Sequence, residues 1–430
     1  MPSRLRYSFF LVFALCAVPC RAQTPATLTL AEAEKIAIEN HPQIQAAQYQ
    51  ANAAKAQVTQ ARSAYYPQVF GSLTGVESET DSRVAAGSLS NSIIFDRYAN
   101  GITVSQLVTD FGRTHEFVKS ASLRAQAQQE NVVTSRADVL AAVDQAYYAV
   151  LKSQAVLKVA EETVKDRQLV SGQITELEKN KLKSGLDVSF ANVNLAQAQL
   201  LLIQAQDNLQ ASYADLSNAL GYPDQKSFIL SDESAPSAPP ADVTQLISQA
   251  LQDRPELIGG RLSVRSAQSY ATGERDLWFP TISTIAVAGL TPVHEAALGG
   301  SRYAAAGFNV NIPIFNGRQF NALHAEATAQ AHAQEQYLRD LQNRITRDVR
   351  KAWLDANSAF QRMAVAQQLL NQASQALDLA SQRYKLGLSS IIELSQAQLN
   401  MTQAEITQTS AKYDYAAAMS VLRFQTGDTH

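Results

Sequence analysis

The chain has 430 residues, enough for two or three ordinary globular domains, yet only 17% are charged and 7% aromatic. Its 36 basic and 39 acidic residues leave a formal charge of −3 with no basic block. A nucleic-acid surface needs a concentrated positive patch, so that class is excluded.

The first predicted element is a leader. Arg4 and Arg6 precede an apolar run over 8–18, and Cys20-Arg21-Ala22 sets small residues at a cleavage point before Gln23, so 1–22 reads as a signal peptide. Acylation of Cys20 is the alternative, with Pro19 a poor neighbour for it. Cleavage removes Cys16 and Cys20 and so any disulfide or thiolate site; losing Arg4, Arg6 and Arg21 takes the formal charge to −6. Beyond the leader no uninterrupted apolar stretch approaches the ~20 residues of a membrane helix. The expectation is an exported protein that would cross a membrane, if at all, by strands.

The mature chain is laid out by its breakers. Residues 113–171, 186–220, 318–386 and 388–426 lack both Gly and Pro and are rich in Ala, Gln, Leu, Glu and Lys, which favours helix throughout. One helix over 318–386 would be ~100 Å long, too long for a compact domain. Val349, Ala356, Met363, Leu370, Leu377 and Tyr384 recur every seven residues, with Ala352, Ala359, Ala366, Ala373 and Ala380 as a second seam. Such a heptad pattern fits a supercoiled rod; a two-stranded stalk is the plainer alternative.

The chain also repeats. Asn40-His41-Pro42 lines up with Asp253-Arg254-Pro255 and Tyr66-Pro67 with Phe279-Pro280 at an offset of 213; Gly112-Arg113 pairs with Gly317-Arg318 at 205 and Gly185-Leu186 with Gly387-Leu388 at 202. Two tandem repeats follow, 23–221 and 242–427, joined by a Pro/Ser-rich linker over 222–241 and ending in a tail at 428–430. Each holds a short helix, two strands, a very long helix and a medium helix. The shorter helices laid end to end match the long one.

Period-two alternation marks the strands: Phe308, Val310, Ile312 and Ile314 against Asn309 and Asn311, and Ile102, Val104 and Val108 against Thr103 and Ser105. Residues 69–76 and 281–290 are their partners, giving barrel hairpins over 67–111 and 280–316 with polar loops at 77–96 and 291–301. Each strand is about the 9–11 residues of a tilted membrane strand. Four strands per chain are too few to close a pore, so copies must pool them. A small soluble sheet capping a rod is the alternative.

Taken together, Leu28-Thr29-Leu30-Ala31-Glu32-Ala33, Tyr65-Tyr66-Pro67, Ile312-Pro313-Ile314-Phe315-Asn316-Gly317 and Gln382-Arg383-Tyr384-Lys385-Leu386-Gly387 give the mature chain a resemblance to the TolC family of outer-membrane efflux proteins. The resemblance implies a mainly α fold with a small β part, whose long antiparallel coiled-coil helices and four transmembrane strands complete, as a homotrimer, a 12-stranded β-barrel and an α-helical barrel. It implies an outer-membrane location reaching into the periplasm, contact with outer-membrane lipid, and a passive exit duct for a tripartite efflux pump or type I secretion system. The partners implied are a periplasmic adaptor (membrane fusion) protein, near 179–184 and 383–390, and an inner-membrane transporter. Gly185 and Gly387 are expected to turn the helix hairpins at a periplasmic gate. There Tyr384 matches a family tyrosine and Glu393 an acid, whereas Ser389 stands where a family arginine would be and Gln396 where a second acid would be. Asp187 would add negative charge. For Glu393 and Asp187 a helix-start acid is the alternative role.

No enzyme constellation is visible: the six histidines are scattered, His324 and His332 are eight apart, and neither a phosphate-binding Gly loop nor a nucleophile elbow occurs. Catalytic, cofactor and metal residues are therefore expected to be none. A periplasmic coiled-coil scaffold or adaptor remains the competing reading.

Overall fold

The computed structural model describes residues 27–77, 79, 83–84, 92–93, 97–232, 237–293 and 300–428. The expected leader over 1–22, and with it Cys20, lies outside them.

After a two-residue strand β1 (Thr27–Leu28), helix α1 (Leu30–Asn40) starts on a capping box: Thr29 Oγ1 accepts the Glu32 N–H at 3.3 Å and the Glu32 carboxylate accepts the Thr29 N–H at 3.0 Å. Pro42 lacks an N–H and holds His41 extended (φ −71°, ψ 124°), so the chain breaks and restarts as α2 (Pro42–Arg62). His41 Nδ1 caps α2 by accepting the Gln43 N–H at 3.2 Å, and burial pushes its pKa down, in keeping with that acceptor role. Then come β2 (Gln68–Val76), a short ladder of β3 (Arg83–Val84) and β4 (Ser92–Ile93), β5 (Arg97–Thr109), α3 (Arg113–Lys179), α4 (Gly185–Ala219) and β6 (Ile229–Leu230). The order repeats as α5 (Val243–Asp253), α6 (Pro255–Arg275), β7 (Thr281–Val293), β8 (Arg302–Asn311), α7 (Gln319–Lys385) and α8 (Ile391–Thr426).

The two halves match closely: the helices have 11, 21, 67 and 35 residues in the first and 11, 21, 67 and 36 in the second. At 1.5 Å per residue, α3 and α7 are each about 100 Å long. α1, α2 and α4 pack along α3, while α5, α6 and α8 pack along α7. The breaks between short helices are held alike. Gly221, at φ +81°, presses on Asn40 and His41, where a Cβ would sit 3.0 Å from the His41 Cα; Gly427, at φ +82°, faces Asp253 and Arg254. At Gly221 only glycine fits a left-handed turn at so close an approach, whereas at Gly427 the positive φ alone favours it.

The alanine seam is buried at all five positions, from 2% to 7% exposed, and α8 of the same chain packs on it. It is therefore an intrachain seam rather than a contact between copies. The main core lies near mid-length, where Val143, Tyr147 and Val150 of α3 meet Ala33 and Ala37 of α1, Leu216 of α4 with Leu220 just past its end, and Tyr413 of α8.

The segment expected as a plain linker is strapped down. Ile229–Leu230 pair in parallel with Thr27–Leu28, and the buried Tyr147 hydroxyl donates to Leu28 O at 3.0 Å and Ser231 O at 2.7 Å. Further on, Lys412 pairs with Asp232 at 2.7 Å, the Tyr415 hydroxyl bonds Ser237 O, and Trp353 Nε1 donates to Pro240 O at 2.7 Å.

The four long strands form one antiparallel sheet in the order β2-β5-β7-β8, so the two expected hairpins are joined through β5 and β7. β2 and β8 have no partner on their outer sides among the described residues, and every β8 residue is exposed. The loop expected over 77–96 carries the β3–β4 ladder, and β7 runs to Val293, beyond the expected end at 290. Tyr303 lies across Gly289 and Gly101, neighbours on the two adjoining strands, with its hydroxyl 3.4 Å from Asn100 O. By length and mean composition alone α4, with an 18-residue window of mean hydropathy 1.2, could cross a membrane, although Asn and Gln interrupt it throughout. That helix is nonetheless paired with α3, and its Asn192 and Asn194 bond Ser171 and Ser395 at 2.7 Å each.

Candidate functional site at the hairpin tips

At the far end from the sheet, α3–α4 and α7–α8 each turn through a few residues, and the turns have one design. Lys181 (φ +61°) and Gly387 (φ +71°) occupy the left-handed position. The next residues close the turn, Leu182 N–H to Leu177 O at 2.9 Å and Leu388 N–H to Arg383 O at 2.8 Å. Lys181 thus corresponds to Gly387, a spacing of 206, and Gly185, expected as the turn, is the first residue of α4. A lysine in a left-handed conformation costs about 1–2 kcal/mol, so glycine marked only one of the two turns.

The second helices start on the same serine cap, closed into a reciprocal box only at α4. Ser184 Oγ accepts the Asp187 N–H at 3.2 Å, Asp187 Oδ2 accepts the Ser184 N–H at 2.9 Å, and Ser390 Oγ accepts the Glu393 N–H at 3.3 Å. Both acids are therefore helix-start residues, where the dipole favours a negative charge.

Tyr384 joins the two tips. It is 6% exposed, packed with Ile174, Ala191, Ile391 and Leu394, and its hydroxyl reaches Asp187 Oδ1 at 3.5 Å. Lys183 Nζ lies 3.7 Å from its ring centroid. Burial, then the Asp187 charge and hydrogen bond, push its phenol up to about 12. For Asp187, burial favours the neutral acid but is outweighed by hydrogen bonds from Ser184, the Lys183 charge and the Tyr384 hydroxyl, so its pKa is lowered. Glu393 stands 3.5 Å from Arg383 Nε, and an Arg383 Nη donates to Leu388 O at 3.4 Å. Arg383 and Lys183 are the tip residues that sequence reasoning missed. Arg383 is ten positions before Glu393, and only the turn brings them together.

Ser389, at the position expected for a family arginine, has its Oγ buried without a hydrogen-bond partner among the described residues. Gln396 is exposed and donates to Asn400 Oδ1 at 3.0 Å, away from the Tyr384 contact. Higher up, the hairpins are tied by polar links: the buried Arg167 donates to Gln398 O at 2.8 Å and Thr402 Oγ1 at 3.1 Å, and Asn194 donates to Ser395 Oγ at 2.7 Å. Among the described residues, no three His, Cys, Asp or Glu side chains converge as metal ligands. The arrangement joins the two tips through the Tyr384–Asp187 contact and pairs Arg383 with Glu393 across the second turn.

Comparison with known proteins gives these features a setting. Outer membrane efflux protein BepC of Brucella suis is 24% identical over 376 residues, 85% of this chain and 78% of that protein. Alkaline protease secretion protein AprF of Pseudomonas aeruginosa is 24% identical over 417 residues, covering 93% and 84%. A solved structure of CusC, described as forming a transmembrane channel, superposes with a TM-score of 0.81 at 18% identity over 99% of both chains. Residues 35–222 and 246–428 match the profile of the outer membrane efflux protein family, one match in each half of the repeated architecture. By that match, supported by a shared fold along almost its whole length, the chain belongs to the outer membrane efflux protein family.

Proposed function

We propose that three copies of the chain form an outer-membrane duct, the passive exit of a tripartite efflux pump or type I secretion system, with a helical tunnel reaching into the periplasm. The carrying observation is the sheet with two unpaired edges, since open backbone edges in hydrocarbon cost several kcal/mol per unpaired group. Two copies would close eight strands, whose interior side chains fill. Three give twelve and leave a lumen. The exposed surface points the same way: 27606 Å² for 46.7 kDa, against about 16,000 Å² for a compact monomer of that mass.

The helices supply complementary flanks. α3 packs on α8, leaving α4 and α7 on opposite sides of the protomer. Leu186, Val193, Leu200 and Ile203 of α4 are exposed, as are Leu354, Val365 and Leu379 of α7. A head-to-tail contact of α4 with the next copy's α7 repeats around a ring and closes. The tips around 179–184 and 383–390 would meet a periplasmic adaptor, which couples to an inner-membrane transporter. Within the tips, Tyr384, Asp187, Glu393 and Arg383 would form the gate. Glu393 is paired with Arg383 and Asp187 is held by Ser184 and Tyr384, so the closed state rests on the Tyr384–Asp187 contact more than on a free acidic ring. Relatives named for efflux and for protease secretion support an export role without choosing between the two. Planar-bilayer recording tests the reading: the purified oligomer should give discrete conductance steps, whereas silent bilayers with intact oligomer would refute a duct.

A further inference from the structure

The four places where strand meets helix carry one chemistry, duplicated. Arg62 ends α2 and leads through a single turn to Tyr65-Tyr66-Pro67 and β2; Arg275 ends α6 and leads through the same turn to Trp278-Phe279-Pro280 and β7. The returning junctions read Phe111-Gly112-Arg113 into α3 and Phe315-Asn316-Gly317-Arg318 into α7. Each junction therefore holds one arginine and at least one aromatic ring between the sheet and the helical body; Arg113 is half-buried, its guanidinium 5.4 Å from the Phe117 ring, and the other three are exposed.

Local stability accounts for only part of this. At the ends of α2 and α6 an arginine suits the helix dipole, but at the starts of α3 and α7 the dipole disfavours a cation. Nearby acids are already engaged. Asp110 accepts the Gly112 and Thr114 N–H groups at 3.3 and 2.8 Å, and Asp276, itself buried, holds Arg275 at 2.9 Å while that side chain stays 60% exposed. Arg62 and Arg318 are exposed and enter no ion pair with the described residues. The rings are exposed as well, Tyr66 at 66% and Phe315 at 84%. Exposed rings beside unpaired guanidinium groups suit a membrane–water boundary, where the ring enters the headgroup layer and the guanidinium takes a phosphate in two hydrogen bonds.

We propose that this belt binds anionic phospholipid headgroups in the membrane leaflet on the helical side of the sheet. The proposal rests on the barrel reading above; in a trimer Arg62, Arg275 and Arg318 would give the belt nine arginines. A basic group at an anionic membrane surface contributes about fivefold in affinity, and a guanidinium suits an exposed anionic phosphate better than the internally neutralised headgroup of phosphatidylcholine.

The test uses the full chain, purified as its oligomer and placed in nanodiscs of phosphatidylcholine with or without phosphatidylglycerol, with native mass spectrometry to count retained lipids. The expected result is several-fold preferential retention of phosphatidylglycerol. It should be lost in the combined Arg62→Gln, Arg275→Gln, Arg318→Gln variant and kept in the corresponding triple Lys variant, which controls for folding. Equal retention of both lipids, or a preference surviving in the Gln variant, would overturn the proposal, as would displacement of the lipid by millimolar inorganic phosphate. Failure of the oligomer to enter either bilayer would instead remove the barrel reading, and this proposal with it.

Discussion

Tyr384 was legible in the sequence as the last member of a heptad seam, yet its contact with Asp187 required the fold, because that residue lies on the other hairpin. Replacing Tyr384 with Phe keeps the ring in its pocket and removes the hydroxyl. Bilayer recordings should then show a higher resting conductance without loss of oligomer; unchanged conductance would remove this contact from the gate. The pH dependence has a definite sign. The folded pKa of Asp187 is lowered, so its contribution is present above the ordinary carboxylate pKa of about 4 and is lost as pH falls through the folded value. The wild type should lose melting temperature below about pH 4 more steeply than Asp187→Asn, as read by circular dichroism. At the other tip, Glu393→Ala should weaken block by multivalent cations, whereas Arg383→Ala, by freeing the paired acid, should strengthen it severalfold. Equal block in all three proteins would take the Arg383–Glu393 pair out of the conduction path.

The long and medium helices were the most readable elements because long runs without Gly or Pro leave few alternatives, and their ends fell within a few residues of expectation, whereas the one short helix expected in each half is two, split at Pro42 and Pro255. What the sequence hid was partnership. The five alanines fit a seam against any close helix, and the partner proved to be α8 of the same chain. Ala366→Leu should therefore strain the hairpin first, by about 1–3 kcal/mol, and lower the melting temperature of the helical signal before the oligomer dissociates. An unchanged melting curve with loss of oligomer would return the seam to an interface between copies. Glycine misled in the turns: Gly185 lies in α4, while Lys181 takes the left-handed position. In the sheet, strands were found by alternation, but the stacking of Tyr303 on Gly101 and Gly289 depends on register across three strands, which no period reveals. Gly289→Ala puts a methyl group into the Tyr303 ring and the Asn100 carbonyl, and should reduce assembled protein in membranes while leaving the helical spectrum of the monomer intact. Normal membrane assembly of this variant would contradict close packing there.

Across the whole molecule, duplication was the strongest sequence signal, since Pro42 and Pro255 fix the same helix break in each half. The true spacing between halves is 213 through the short helices and 206 from the long helices onward, and short motifs alone blurred the second value. Four strands with open edges, rods of about 100 Å and surface well beyond a monomer's needs all point outward, to neighbours of the same kind. The direct measurement is the mass of the detergent-solubilised mature particle, by native mass spectrometry or light scattering with the detergent subtracted. A particle of three chains is the expected result. A single chain, monodisperse in water without detergent, would contradict the account at its base.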